Sequence, residues 1–276
     1  MDTFEPRPLV DGLVFPEGPR WHDGRLWFSD MHDRAVFTVT LKGELDRVAN
    51  VPERPSGLGF LPDGRLLVVS MCDRRLLRLD PDVLREHANL TDVALGDLND
   101  MVVDSQGRAY VGNFGFDYNA GGEFKPANLV MVQPDGAVRV VADDLLFPNG
   151  PVITPDNRTL IVAETYGRRL TAFSIAEDGS LENRRVFAEF EAATPDGICL
   201  DADGAIWVGS PSTEEFLRVR EGGEITARIP TPGRWAVACE IGGPDGRTLF
   251  LLSAETSRAE LSKGNSKGWI DVVDTV

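Results

Sequence analysis

Short apolar runs alternate with polar turn residues along the whole chain, and the pattern repeats six times. The turns fall at Asp23–Gly24, Asp63–Gly64, Gln106–Gly107, Asp156–Asn157, Asp203–Gly204 and Asp245–Gly246. A tight turn between paired strands requires residues that tolerate positive φ, and Gly, Asn and Asp do so most readily. Each turn therefore predicts a β-hairpin.

The segments that flank the turns resemble one another from repeat to repeat. Those after the turns are rich in aliphatic and aromatic residues, as buried strands are, and cover 25–29, 65–70, 108–112, 158–163, 205–209 and 247–252. Those before the turns cover 17–21, 56–60, 99–103, 149–153, 196–200 and 238–242. A third strand and a weaker fourth follow, for example at 35–39 and 46–49.

The turns recur every ~40 to 50 residues, a period typical of a propeller blade of four antiparallel strands. Six turns therefore predict an all-β fold, a six-bladed β-propeller with residues 1–276 as a single domain. We expect residues 7–14 to complete the last blade beside the strand-like end of the chain. Residues 82–88 are expected to form one short helical turn. A β-sandwich is the alternative, but the regular spacing disfavours it.

In a propeller the first strand of each blade lines the central channel, so equivalent positions on these strands form a ring. The residues at those positions are Glu17, Ser56, Asn99, Asn149, Asp196 and Ala238. Four of the six carry carboxylate or amide oxygens. Two carboxylates close to one axis would repel each other and raise each other's pKa. A divalent cation bound between them removes this repulsion.

A donor set made only of oxygen atoms predicts a hard ion, with Ca²⁺ favoured and Mg²⁺ or Mn²⁺ as alternatives. Zn²⁺ and Fe²⁺ stay open, although the ring contains no imidazole or thiolate. The alternative is that Asn and Asp stand there as turn formers beside Gly. That alternative explains one or two positions, but it does not explain four in register.

Composition excludes several classes of partner. The net charge is −16, whereas nucleic acid and anionic membranes require a basic face. We see no signal peptide and no apolar run of the ~18 residues that a membrane helix needs. We expect a soluble, cytoplasmic protein, a monomer or small homo-oligomer, that acts on a small molecule. Cys72, Cys199 and Cys239 are too dispersed for a disulfide scaffold or structural zinc, and the latter two are expected in the core.

Other catalytic arrangements are poorly supported. The sequence has no Gly-x-Ser-x-Gly elbow and no phosphate-binding Gly-x-x-x-x-Gly-Lys loop. Of the three histidines, only His32 is expected near the channel mouth, whereas His22 and His87 are expected at the surface. The long connection 114–128 contains Phe114, Phe116 and Tyr118. We expect it to overhang the mouth and shape a substrate pocket, the alternative being an unstructured surface loop.

Four motifs carry a resemblance to a known family, and they lie at 15–21, 98–104, 147–151 and 195–201. Over essentially its whole length the chain resembles the SMP-30/gluconolactonase/luciferin-regenerating-enzyme family. The resemblance implies a six-bladed propeller with metal ligands at Glu17, Asn149 and Asp196. It also places Asn99 beside the metal, in contact with substrate. Asp97 stands where sugar-lactone hydrolases of the family have arginine, and this departure argues against a sugar lactone.

The resemblance also implies metal-dependent hydrolysis, most often of a lactone. Asp196 would act as general base or orient the attacking water, and Asn99 would hold substrate. Two alternatives stay open. One is hydrolysis of a phosphoester or phosphofluoridate at the same site. The other is a calcium-binding regulatory propeller without significant turnover.

Overall fold

The computed structural model describes residues 4–118 and 120–274. These residues form 24 strands and one short helix, and the strands are grouped in six four-stranded antiparallel sheets. The first strands of neighbouring sheets contact one another in a closed ring. The predicted all-β six-bladed propeller is confirmed.

The four strands of each blade succeed one another from the channel outward. Blade 1 contains β2 (Pro16–His22), β3 (Arg25–Asp30), β4 (Ala35–Val39) and β5 (Leu45–Asn50). Blade 2 contains β6 (Pro55–Phe60), β7 (Leu66–Ser70), β8 (Arg75–Asp80) and β9 (Val83–Asn89). Blade 3 contains β10 (Leu98–Val103), β11 (Ala109–Asn113), β12 (Ala127–Val132) and β13 (Val138–Leu145).

The second half of the chain continues in the same way. Blade 4 contains β14 (Pro148–Ile153), β15 (Thr159–Glu164), β16 (Arg169–Ile175) and β17 (Leu181–Glu189). Blade 5 contains β18 (Ile198–Leu200), β19 (Ile206–Ser210), β20 (Glu215–Val219) and β21 (Ile225–Pro230). Blade 6 contains β22 (Trp235–Gly242), β23 (Thr248–Glu255), β24 (Lys267–Asp274) and β1 (Arg7–Leu13), with helix α1 (Arg258–Leu261) between β23 and β24.

The two ends of the described chain close the ring. Strand β1 pairs antiparallel with β24, so that Val10 lies opposite Ile270 and Leu13 opposite Gly268. This confirms the prediction for residues 7–14. The closure joins the start of the chain to its end through backbone hydrogen bonds.

The helical turn predicted for residues 82–88 is wrong. This segment belongs to β9, the outermost strand of blade 2, where Val83 pairs with Asp80 and Arg85 with Arg78. Leu, Arg, Glu and Ala favour helix in isolation. Pairing with β8 overrides that preference, because an outer strand is held by its ladder and needs little apolar surface.

Glycines let the inner strands approach closely enough to narrow the channel. A Cβ on Gly150 would lie 2.7 Å from the Gly197 Cα, and a Cβ on Gly197 would lie 2.4 Å from the Ala238 Cβ. Both distances are below the closest contacts that real Cβ atoms make. The repeated Gly is therefore a packing requirement between blades, and the residue before it lies at the channel wall.

The cysteines agree with the expectation from sequence. Cys199 and Cys239 are buried free thiols with their Sγ atoms 3.3 Å apart, and Cys72 is an exposed free thiol. Within 4–118 and 120–274, no helix has both the length and the apolar character needed to cross a membrane.

Candidate metal and substrate site

A cavity of about 920 Å³ opens at the end of the channel where the inner strands begin. Its wall includes the four carboxylate and amide residues of the predicted ring, Glu17, Asn99, Asn149 and Asp196. These come from blades 1, 3, 4 and 5 and meet only because the ring closes. Such a volume accommodates a small organic molecule with room to spare.

Glu17 lies on β2 with its carboxylate inside the protein. Its Oε1 is buried and has no hydrogen-bond partner among the described residues. Burial raises the pKa of Glu17 well above its usual value, and the charges of Asp196 and Asp100 raise it further. The nearby Ser56 hydroxyl lowers the pKa of Glu17, but Ser56 Oγ makes no hydrogen bond of good geometry in the described part of the chain.

Asp196 lies just before the short strand β18. Its backbone N–H donates to Gly209 O at 2.9 Å, and its carbonyl accepts from Gly150 N at 3.2 Å, which fixes it between two strands. Burial and the charge of Asp100 raise the pKa of Asp196 to about 8, while a hydrogen bond from Asn149 opposes the shift. A neutral carboxyl is therefore the stable form of Asp196 at pH 7 when no cation is bound.

The two amides are oriented by their neighbours. Asn99 is 3% exposed, and its Nδ2 donates to Pro148 O at 3.1 Å. Its carbonyl oxygen is therefore the atom free to accept a hydrogen bond or to approach a cation. Asn149 Nδ2 donates to Thr165 Oγ1 at 3.2 Å, and that hydroxyl donates to Pro195 O at 2.7 Å.

Sequence reasoning missed a third carboxylate, that of Asp100. It is buried on β10 and forms an ion pair with Arg20, with 3.2 Å between Arg20 Nη2 and Asp100 Oδ1. Burial raises the pKa of Asp100 even though Arg20 opposes the shift. A signal was present, because Asp100 occupies the position that is Gly in the four motifs beginning at Glu17, Ser56, Asn149 and Asp196.

The donor set at the channel floor fits a divalent cation. Two partly buried carboxylates with raised pKa values lie beside an amide, and one of them bears a buried oxygen without a hydrogen-bond partner among the described residues. A cation placed there would satisfy that oxygen and relieve the repulsion between the charges. In the described ranges, no three His, Cys, Asp or Glu side chains are arranged to hold a metal. The candidate set has only two carboxylates, and its ligand roles stay a prediction.

An aromatic wall rises above the floor. Phe114 and Tyr118 line the cavity, as does Phe147. Phe114 stacks on Phe147 with ring centroids 4.8 Å apart, and Phe147 stacks on Tyr166 at the same distance. The start of the 114–128 connection is thus packed on the mouth. This favours the pocket wall over the unstructured loop.

Two predicted substrate contacts lie elsewhere. Phe116 is buried but does not line the cavity, since its ring packs against Phe124 and Phe147 behind the wall. Asp97 does not line it either. Its Oδ1 lies 3.9 Å from Arg74 Nε, and its carbonyl accepts from Phe114 N at 2.9 Å. In this conformation both residues support the wall, and direct contact with substrate stays a prediction.

The histidines are distributed nearly as expected. His32 lines the cavity, and burial with the charges of Arg54 and Arg34 lowers its pKa to about 4. Its imidazole is therefore neutral at pH 7. His22 and His87 lie outside the cavity but are partly buried rather than exposed, and the His22 ring stacks on Phe60 at 3.8 Å.

Comparison with known proteins agrees with this architecture. A family model described as the SMP-30/Gluconolactonase/LRE-like region matches residues 15–255. The 6-deoxy-6-sulfogluconolactonase of Pseudomonas putida is 27% identical over 87% of this chain and 80% of its own length. Pentonolactonase XacC of Haloferax volcanii is 27% identical over 86% of this chain and 81% of its own length.

A solved structure shares the fold. It is that of a calcium-binding protein, regucalcin, from Agrobacterium tumefaciens, which superposes with a TM-score of 0.79 and 23% identity. The alignment covers 99% of this chain and 96% of the other. At this identity the likeness shows the propeller alone.

Proposed function

Since this chain belongs to the SMP-30/gluconolactonase/LRE-like family, we propose that it is a divalent-metal-dependent lactonase that hydrolyses a small cyclic ester. The observation that carries the proposal is the partly buried pair of Glu17 and Asp196, which both line the cavity. Each carboxylate has a raised pKa, and Glu17 Oε1 is unpartnered among the described residues. Such an arrangement is costly unless a cation is bound, so function explains it better than stability does.

The ligands would be Glu17, Asn149 and Asp196, and calcium is the ion that oxygen donors of this kind favour. The calcium-binding description of the Agrobacterium regucalcin supports the same ion. When bound, the ion supplies Lewis acidity that polarises an ester carbonyl and stabilises developing negative charge.

The protein's own residues supply binding and proton transfer. Asp196 accepts a proton from the attacking water or orients that water, a role open to its carboxylate when a cation keeps it ionised. Asn99 holds substrate through its amide, which the bond to Pro148 O keeps in place. The ring faces of Phe114 and Tyr118 pack on the substrate's carbon skeleton and exclude water from that side.

The names of the two relatives support lactones of sugars or sugar derivatives as the substrate class. The placement of Asp97 is compatible with this class. Its carboxylate lies near Arg74 and outside the cavity wall, so its negative charge does not face a bound lactone directly.

The test is to strip the protein with a chelator and follow proton release from a panel of lactones as Ca²⁺, Mg²⁺, Mn²⁺ or Zn²⁺ is returned. We expect turnover only with metal. The variant Asp196→Ala should be inactive, whereas Asp92→Asn, a change at an exposed residue of the β9–β10 loop, should match wild type. Tight metal binding without turnover of any lactone would favour the non-catalytic calcium-binding propeller and end the enzyme proposal.

A further inference from the structure

Carboxylates and guanidinium groups both line the cavity. Of the described residues that line it, the carboxylates are Glu17 and Asp196 at the floor, and the guanidinium groups are Arg54 and Arg258. The protein as a whole carries a net charge of −16. The two positively charged arginines in the wall of one cavity therefore contrast with the net negative charge of the protein.

The backbone of Arg54 is fixed in an unusual conformation. Arg54 joins β5 to β6 with a φ of 67°, which is uncommon for a residue with a side chain. Its N–H donates to Val51 O at 3.1 Å, and its carbonyl accepts from Met71 N at 2.9 Å. These two bonds hold the Arg54 backbone beside the cavity.

The guanidinium of Arg54 has no partner within the described part of the chain. The residue is half-buried, yet among the described residues its side chain makes no hydrogen bond or ion pair. Elsewhere in the same region Arg20 pairs with Asp100 and Arg74 with Asp97. None of its side-chain nitrogens is both buried and unpartnered, so the guanidinium is accessible from the cavity and can pair with a bound anion.

Arg258 approaches from another part of the chain. It begins α1, on the connection between β23 and β24, and its guanidinium carbon lies 4.9 Å from the Tyr118 ring centroid. Stacking on an aromatic face leaves the N–H groups of the guanidinium edge free to bind an anion. No carboxylate of the described chain forms an ion pair with Arg258.

We propose that the substrate carries an anionic group, a carboxylate, sulfonate or phosphate, and that Arg54 and Arg258 bind it. The guanidinium fork matches the oxygens of such groups. The anion would lie away from the acidic floor, so that the ester is directed to Glu17 and Asp196. The orientation rests on the proposed lactonase function, whereas the anion site rests on the two arginines alone.

Binding of unreactive probes tests the anion site without any catalytic step. The probes are tetrahydropyran-2-ylmethanesulfonate and the neutral methanesulfonamide of the same ring, both cyclic ethers without an ester. A sulfonate is a weaker metal ligand than a carboxylate, which separates the arginines from the metal. Calorimetry is run on the calcium-loaded protein, and circular dichroism confirms the fold of every variant.

We expect the sulfonate to bind about 10- to 100-fold more tightly than the sulfonamide, as for hydrogen bonds to a charged group. Arg54→Gln and Arg258→Gln should each lose most of this preference. Arg34→Gln is the matched control, because Arg34 is exposed, also has positive φ, at 56°, and does not line the cavity. It should keep the full preference.

Equal affinity for the two probes would overturn the inference, as would no binding at all or a preference that survives both arginine substitutions. Lactone turnover distinguishes this failure from failure of the proposed function. If neutral and anionic lactones are opened equally by wild type and Arg54→Gln, the lactonase stands and the anion site does not. If the sulfonate preference is found but no lactone is opened, the anion site stands and the lactonase does not.

Discussion

The charge of Asp196 in blade 5 raises the pKa of Glu17 in blade 1, and both side chains are partly buried and line the same cavity. The two residues meet because the β1–β24 pair closes six blades into a ring. The charge of Asp100 in blade 3 raises the pKa of both residues. Acidic groups are thus concentrated around the channel axis, where a bound cation would stabilise their ionised forms.

The substitution Asp196→Asn should impair calcium binding and catalysis without impairing folding. The substitution keeps the shape of the side chain and removes its charge, so calcium affinity should fall and lactone turnover should drop by at least about 100-fold. The metal-free variant should be at least as stable as metal-free wild type at pH 7, because the amide is already neutral whereas Asp196 must take up a proton to become neutral. Calorimetry, turnover assays and urea unfolding measure the three quantities. Turnover near that of Asp92→Asn would contradict the proposed role.

The stability of the metal-free protein should fall as pH rises from about 4 to 8. The pKa of Asp196 is raised from 3.8 to about 8. The contribution of Asp196 to the free energy of unfolding is therefore fully present below about pH 4 and is lost as pH rises to 8. Within this range each pH unit lowers the free energy of unfolding by about 1.4 kcal/mol. Glu240, with a pKa raised to about 7, acts in the same direction.

His32 opposes this trend, because its lowered pKa makes stability rise between about pH 4 and 6.5. Urea unfolding of chelated protein at pH 5, 6.5 and 8 should still show declining stability, and added calcium should stabilise most at pH 8. Asp196→Asn should make the decline between pH 6.5 and 8 shallower, while Glu17 and Glu240 continue to contribute to it. A slope unchanged by this substitution would show that Asp196 is not the titrating group.

The aromatic wall can be divided into lining and supporting residues. Tyr118→Ala removes a cavity-lining ring and should raise KM with little loss of stability. Phe116→Ala removes a buried ring that packs on Phe124 and Phe147. It should lower the free energy of unfolding by about 3 kcal/mol or more. Thermal unfolding and Michaelis kinetics on both variants check the division, which fails if Tyr118→Ala is the more destabilising of the two.

The glycine contacts between blades make a separate prediction about the scaffold. Gly197→Ala would place a Cβ 2.4 Å from the Ala238 Cβ, and overpacking of this kind costs about 1 to 3 kcal/mol. The double variant Gly197→Ala/Ala238→Gly removes that contact and should recover part of the loss. Additive destabilisation in the double variant would mean that the two residues do not touch.

Much of the fold was predictable because each blade repeats the same local signals. Turn residues with positive φ mark the hairpins, and the equivalent positions Glu17, Asn99, Asn149 and Asp196 fall at the channel wall. Residues 82–88 were misjudged because local propensity competes with strand pairing, which depends on a neighbouring strand. The roles of Asp97 and Phe116 depend on how one loop packs, and no periodicity encodes that.

Residues that reach the cavity from separate loops were the hardest to find. Arg54 lies between two blades, and Arg258 lies on a helix that interrupts blade 6. Neither occupies a repeated position, so register could not identify them. Asp100 could have been found, since it replaces a repeated Gly with an acid.

We propose that one metal ion, held by Glu17, Asn149 and Asp196, makes this protein a lactonase. The most direct measurement is lactone turnover in a pH-stat as calcium is titrated, in known equivalents, into chelated protein. We predict that turnover rises in proportion to added metal and saturates at one ion per chain. Turnover that is already complete in the chelated protein, or that stays absent after one ion has bound, would contradict the account.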